Sequence, residues 1–143
     1  MSNRKIKDIV SRQQLLTVAP EEPVRETARK MVMRNVAAAL VTDPGGRLLG
    51  IFTERDLLRR VVAEGRDPDR TTVTSVMTAK PYTVALDSTV LEASRAMQER
   101  HVRHLPVVAD GRAVGIISLR DFLGVEVDEV RREQESRERL WEA

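Results

Sequence analysis

Gly50-Ile51-Phe52-Thr53-Glu54-Arg55-Asp56-Leu57-Leu58 returns later in the chain as Gly115-Ile116-Ile117-Ser118-Leu119-Arg120-Asp121-Phe122-Leu123. Each stretch reads glycine, two apolar residues, a hydroxyl, two variable residues and an aspartate, at a step of 65 residues from Gly50 to Gly115. The match extends upstream. Val24-Arg25-Glu26-Thr27-Ala28 with Met31 pairs with Val90-Leu91-Glu92-Ala93-Ser94 with Met97, and Thr17-Val18 pairs with Thr83-Val84. Ahead of each copy, Ile6-Lys7-Asp8-Ile9-Val10 resembles Val73-Thr74-Ser75-Val76-Met77. Two copies of one supersecondary unit in a chain of 143 residues predict that neither buries its apolar face alone, so each is the other's core. Such a pair leaves clefts between its halves, where small ligands usually bind.

Each copy reads as strand, helix, strand, strand, helix. In the first, residues 15–18 form a short apolar run, and Ala19-Pro20-Glu21-Glu22-Pro23 a turn. Val24, Ala28, Met31, Val32 and Asn35 then fall at helical spacing on one stripe. Strands at 38–42 and 48–52 flank the turn Asp43-Pro44-Gly45-Gly46, and Thr53 opens a helix that carries Leu57, Leu58, Val61 and Val62 and stops at Gly65. The second copy repeats this with a strand at 82–84, an opener at Asp87-Ser88 and a helix bearing Val90, Ala93, Ser94 and Met97. Its hairpin strands, 104–108 and 113–117, join at Asp110-Gly111. The predicted organisation is a first repeat at 6–66, a second at 67–124 that begins within the polar linker, and a charged helix at 125–143. In that last segment Asp128 with Arg132, Glu133 with Arg137 and Glu135 with Arg139 are acidic-before-basic pairs at i, i+4. Trp141 has two readings there, a dimer contact or part of a fraying tail.

Composition excludes several classes. Hydrophobic residues make up 41%, charged residues 32% and aromatic residues 3%, so the chain is globular with an aliphatic core. There is no cysteine, which removes disulfides, thiol catalysis and thiolate metal sites. The net charge of +2 comes with arginines that have acidic neighbours, not with a clear basic face, so no nucleic-acid partner is expected. No apolar run approaches a membrane span or signal peptide, and a cytoplasmic protein without a membrane partner is the expectation. His101 and His104 stand at i, i+3, but their rings should diverge past the helix end and no third ligand accompanies them, so no metal is predicted. Tyr82 can stack on a base or pack on a neighbouring strand.

The repeated hydroxyl-x-x-Asp at a strand-to-helix junction supports two readings. Thr53 or Ser118 can cap a helix, with Asp56 or Asp121 in the first turn. The same geometry can also present amides and a hydroxyl to a phosphate and a carboxylate to ribose hydroxyls.

The repeat order, the Gly-apolar-apolar-Ser/Thr-x-x-Asp endings and Arg103-His104-Leu105-Pro106-Val107 resemble a tandem pair of CBS domains over about residues 6–124. The resemblance implies an α+β fold of two βαββα repeats packed as a pseudo-twofold pair. It further implies a regulatory ligand that contains adenosine (AMP, ADP, ATP, NAD or S-adenosylmethionine), a homodimer, and signalling through that dimer or an effector protein. Carried over by position, Asp56 and Asp121 would hold ribose, Thr53 and Ser118 would lie beside phosphate, and Arg55 and Arg120 would pair with it. Thr83, Arg103, His104 and Pro106 would line the second cleft. The first copy departs from the pattern, with Ala37-Ala38-Ala39-Leu40 where the second has Arg103-His104-Leu105-Pro106, so unequal sites are expected. A structural adaptor with self-filled clefts is the alternative. An enzyme is not expected, because no nucleophile stands with a paired base.

Overall fold

The computed structural model describes residues 4–10, 15–119 and 121. The predicted charged helix at 125–143, with Trp141, lies outside these residues, and so does Arg120.

Local turn chemistry builds both hairpins. Asp43 Oδ1 accepts from Gly45 N and Arg47 N, each at 2.9 Å, and reverses the chain between β2 (Ala38–Thr42) and β3 (Leu48–Thr53). In the second copy Asp110 and Gly111 both take positive φ, 54° and 77°, which is the two-residue turn that matches strand twist. That turn joins β6 (His104–Ala109) to β7 (Arg112–Ser118). A short parallel strand lies beside each hairpin: β1 (Thr17–Val18) on β2, and β5 (Val84–Ala85) on β6. The crossover helices are α2 (Val24–Arg34) and α5 (Val90–Arg100). They end on Asn35 and His101, both in the left-handed region, so even the helix stops are duplicated.

Three details differ from the sequence reading. On α2 the buried residues are Val24, Thr27 and Met31, while Val32 is 81% exposed. Thr27 is tolerated in the core because its hydroxyl donates to Glu22 Oε2 at 2.7 Å. The N-cap of α5 is Thr89, not the Asp87-Ser88 pair: Thr89 Oγ1 accepts from Glu92 N, and the Glu92 carboxylate accepts from Thr89 N. After α3 (Glu54–Asp56), residues Leu57–Val62 wind as a π-helix, which turns Leu58 and Val62 outward and leaves Val61 buried.

The segments that precede the copies are exchanged between them. α1 (Ile6–Val10), at the start of the first copy, packs with Val84, Ala93, Met97, Leu105, Val107 and Ile117 of the second. α4 (Val73–Val76) packs with Val18, Val24, Met31, Phe52 and Val61 of the first, and β4 (Thr78–Ala79) extends that copy's sheet to the order β1-β2-β3-β4. The backbone repeats the exchange about a pseudo-twofold axis. Val24 N donates to Thr71 O at 2.9 Å, and Val90 N to Arg4 O at 2.8 Å. Between the sheets, Leu48 N donates to Gly111 O at 3.3 Å, and Ala113 N to Gly46 O at 3.1 Å. Ala38, Leu40, Ile51, Ala113 and Ile116 form the apolar joint there. The result is a mixed α+β molecule with two sheets.

The repeated glycines are explained by the exchange. A Cβ on Gly115 would lie 2.1 Å from Val10 Cγ2, and one on Gly50 would lie 2.5 Å from Met77 Sδ and 2.8 Å from the Thr78 carbonyl. Gly115→Ala is therefore expected to destabilise the protein by about 1–3 kcal/mol through overpacking. Gly45→Ala, where the added Cβ meets only Asp43 Oδ1 at 3.4 Å, should stay within about 0.5 kcal/mol of the native protein in urea denaturation.

Candidate functional site

Two strand-to-helix junctions carry the repeated motif, and in both the carboxylate turns back on the chain. Asp56 Oδ2 accepts from Thr53 N at 3.0 Å and from Thr53 Oγ1 at 3.1 Å, while Asp56 N donates to Thr53 Oγ1 at 3.3 Å. Asp121 Oδ2 accepts from Ser118 N at 2.7 Å and from Ser118 Oγ at 3.2 Å. Capping is thus realised in both copies, and whether the junctions also serve a ligand depends on where each one faces.

The two junctions face differently. Asp56 is buried, with Oδ1 3.7 Å from Arg60 Nε. Arg60 is itself held by the carbonyls of Val76, at 3.3 Å, and Met77, at 2.8 Å. Ser118 and Asp121 instead line a cleft of about 1050 Å³ between the copies. Arg103 and His104 join them there, and the first copy contributes Met31, Val32, Val36, Ala37 and Ala38 as an apolar wall, with Arg34 and Glu54 at its polar edge. Arg103-His104 and Ala37-Ala38 are equivalent positions of the two repeats, so one cleft straddles the pseudo-twofold axis and sets Arg103 and His104 of one copy against Ala37 and Ala38 of the other.

Of the residues singled out from sequence, Arg103, His104, Ser118 and Asp121 come together in this cleft. Thr53, Arg55, Asp56, Thr83 and Pro106 are not among its lining residues. Pro106 is buried opposite Ile116 in the hairpin ladder, and Arg55 is exposed on α3. Sequence reasoning missed Glu54 and the apolar wall. Glu54 stands at a variable position of the motif, and its exchange for Leu119 in the second copy is the signal that marks it. Tyr82 stacks against Arg100, whose guanidinium lies 4.0 Å from the ring centroid, so the ring packs on its own copy. His101 is the exposed cap of α5 while His104 sits on β6, and no group of three or more His, Asp or Glu among the described residues is placed to hold a metal ion. No described helix is long and apolar enough to cross a membrane.

The electrostatics centre on His104. Burial pushes its pKa below the ordinary histidine value, Glu54 and Asp121 oppose that shift, and Arg103 adds to it. The imidazole is therefore neutral near pH 7, and a neutral ring can both donate and accept in the cleft. Because the native value lies below the unfolded one, the associated stability is fully present above the unfolded value and is lost as pH falls through the native one. An NMR titration should place the His104 midpoint below the ordinary histidine value, and His104→Gln should flatten the acid limb of stability against pH.

Comparison with known proteins adds the following. The family model described as CBS domain matches residues 6–63 and 73–128. Among curated proteins, the chain is 41% identical over 104 residues to CBS domain-containing protein CBSCBSPB3 of Arabidopsis thaliana, covering 73% of this chain and 19% of that protein. An uncharacterized conserved protein of Pyrococcus horikoshii has the same fold, with a TM-score of 0.81, 30% identity, and coverage of 88% and 94% of the two chains. A CBS domain protein of Pyrobaculum aerophilum, solved in complex with AMP, matches with a TM-score of 0.76 and 27% identity over 82% of this chain and 88% of that one. The CBS domain pair of protein MJ0100, in complex with 5′-methylthioadenosine and S-adenosyl-L-methionine, matches with a TM-score of 0.79 and 25% identity, covering 87% and 97%.

Proposed function

The chain belongs to the CBS-domain family as a paired module, and from that premise we propose that it is a non-catalytic regulatory module that binds an adenosine-containing ligand between its repeats. One observation carries the reading: the cleft between the copies combines an apolar wall with Ser118, Asp121, Arg103 and His104 on its polar side. Val36, Ala37, Ala38 and Ile116 offer flat apolar surface for a purine. Asp121 suits ribose hydroxyls, since an ionised carboxylate is a pure acceptor. Arg103 supplies the fork that phosphate oxygens favour. The relatives solved with AMP, and with methylthioadenosine and S-adenosylmethionine, support adenosine as the shared part of the ligand.

The site is single-sided in this reading. Asp56 is enclosed by its cap and by Arg60, so the first-copy junction serves the fold while the second-copy junction serves the ligand. Occupancy is reported through a dimer or an effector protein, which requires that the ligand prefer one conformation of that assembly. The adaptor reading keeps one observation in its favour, that both aspartates already cap their helices. It is separated from the sensor by its indifference to nucleosides.

Calorimetry with AMP decides between them. Native protein should bind AMP, Asp121→Ala should weaken it about tenfold or more while costing about 1 kcal/mol of stability as a lost cap, and Arg103→Ala should weaken AMP but not adenosine. Absence of binding by adenosine, AMP and S-adenosylmethionine at millimolar concentration would leave the adaptor.

A further inference from the structure

A second pocket lies away from the cleft, at the end of the π-helix, and its lining shares no residue with the cleft. It has a volume of about 400 Å³ and is lined by Arg59, Arg60, Glu64, Arg66, Ser75 and Val76, so three guanidiniums border one space. Local backbone geometry brings them there. Ala63 N donates to Leu58 O at 2.9 Å, and Gly65 follows in the left-handed region with φ 69°. Arg66 N then donates to Val61 O at 2.9 Å, which folds the chain back on the helix end. Arg60 is held by three oxygens: its Nη1 donates to Val76 O and Met77 O, and its Nε lies 3.7 Å from Asp56 Oδ1. A guanidinium keeps further donors on Nη2.

The repeat shows which of these residues the duplicated unit does not carry in both copies. Arg59 and Arg60 correspond to Gly124 and Val125, and Ser75 corresponds to Asp8. Asp8 is exposed, and its carboxylate accepts from Lys5 N at 3.1 Å. In its place α4 presents a hydroxyl that donates to the Thr72 carbonyl at 2.7 Å. Relative to their counterparts, the positions that share this pocket carry two more arginines and one fewer acid. The carbonyls at the end of α4 account for Arg60, whereas the exchanges at 59 and 75 point to an anion. A tetrahedral phosphate offers several acceptor oxygens and can engage more than one guanidinium at once, while a planar carboxylate is matched by a single fork. The volume exceeds what one phosphate fills and lies at the lower end of the range for small-molecule sites, which suits a phosphate carried on a body of sugar size.

We propose that Arg59, Arg60 and Arg66 form a second ligand site, separate from the cleft, that takes a phosphate group, either free or on a small ester. Residues of both the π-helix and α4 line it, so occupancy fastens the exchanged segment to the first copy. The site is independent of the regulatory reading of the cleft, and no nucleoside enters its test.

The test is calorimetry with inorganic phosphate and with ribose 5-phosphate at constant ionic strength, on the full chain carrying Arg103→Ala so that the cleft's fork is removed. One-to-one binding is expected, and the tighter of the two probes identifies the ligand as free or esterified phosphate. Adding Arg59→Gln with Arg66→Gln should weaken that probe about tenfold and adding Ser75→Asp about threefold, while Glu64→Gln should tighten it about twofold. At ten times its Kd the probe should raise Tm by about 3–6 °C. The Arg59→Gln/Arg66→Gln variant should gain much less at the same concentration, which separates binding from a general salt effect. Arg59 and Arg66 are both exposed, so without ligand the variant should unfold at the temperature of its parent. Failure of both probes to bind the Arg103→Ala chain, or equal affinity with and without the two arginines, overturns the site.

Discussion

The reciprocal exchange of α1 and α4 is the constraint on which the rest of the molecule depends. Ile6 and Val73 are fully buried, Val76 is 1% exposed and Val10 8%, and each lies in the core of the copy it does not introduce. Fully burying one such side chain is worth about 1.5–3 kcal/mol at most, so the four together reach the order of a whole domain's net stability of about 5–15 kcal/mol. Neither copy therefore has a complete core without the segment that enters from the other side. The pseudo-twofold relation follows from this dependence, and so does the cleft. The two units that hold each other's leading segment also have their β hairpins joined at Leu48, Gly46, Gly111 and Ala113.

The motif aspartates show how one local device takes two meanings. A capping carboxylate spends one oxygen on its own hydroxyl and amide, and in both copies that oxygen is Oδ2. What differs is the environment. Arg60, pinned by two carbonyls at the end of α4, closes over Asp56, whereas Asp121 opens on the space between the copies. The exchanged segment thus contributes to enclosing one junction, because the Val76 and Met77 carbonyls at the end of α4 hold Arg60 there.

Sequence resolved what short-range physics controls. The turn at Asp110-Gly111, the strands 38–42 and 104–108 and the capping role of Thr53 all follow from residues a few positions apart, and the structure contains them. It misled where tertiary packing chooses. Val32 and Thr27 lie on neighbouring faces of α2, and the choice of Thr27 for the core depends on Glu22 reaching it with a hydrogen bond. The π-helical winding of Leu57–Val62 rotates apolar side chains out of the stripe that α-helical spacing predicts. The motif glycines were legible as a pattern but not as a cause, since Val10 and Met77 approach them from segments far away in the chain. The site was partly legible for the same reason: Ser118 and Asp121 are local, while their apolar partners come from the other copy.

Internal duplication lets structural and chemical requirements be separated within one chain. Positions that keep their identity or type across the copies, Gly50 and Gly115, Thr53 and Ser118, Asp56 and Asp121, each have a packing or capping duty that the structure shows. Positions that diverge, Ala37 against Arg103, Ala38 against His104 and Glu54 against Leu119, all line the cleft. Had the fold alone constrained those positions, a pseudo-twofold scaffold would tolerate the same small residues on both sides. Instead the divergence sets Arg103 and His104 on one wall against Ala37 and Ala38 on the other, and Glu54 against Leu119. A cleft on a symmetry axis with such unlike walls is itself asymmetric. Direction is what a nucleoside with a charged tail would require of it.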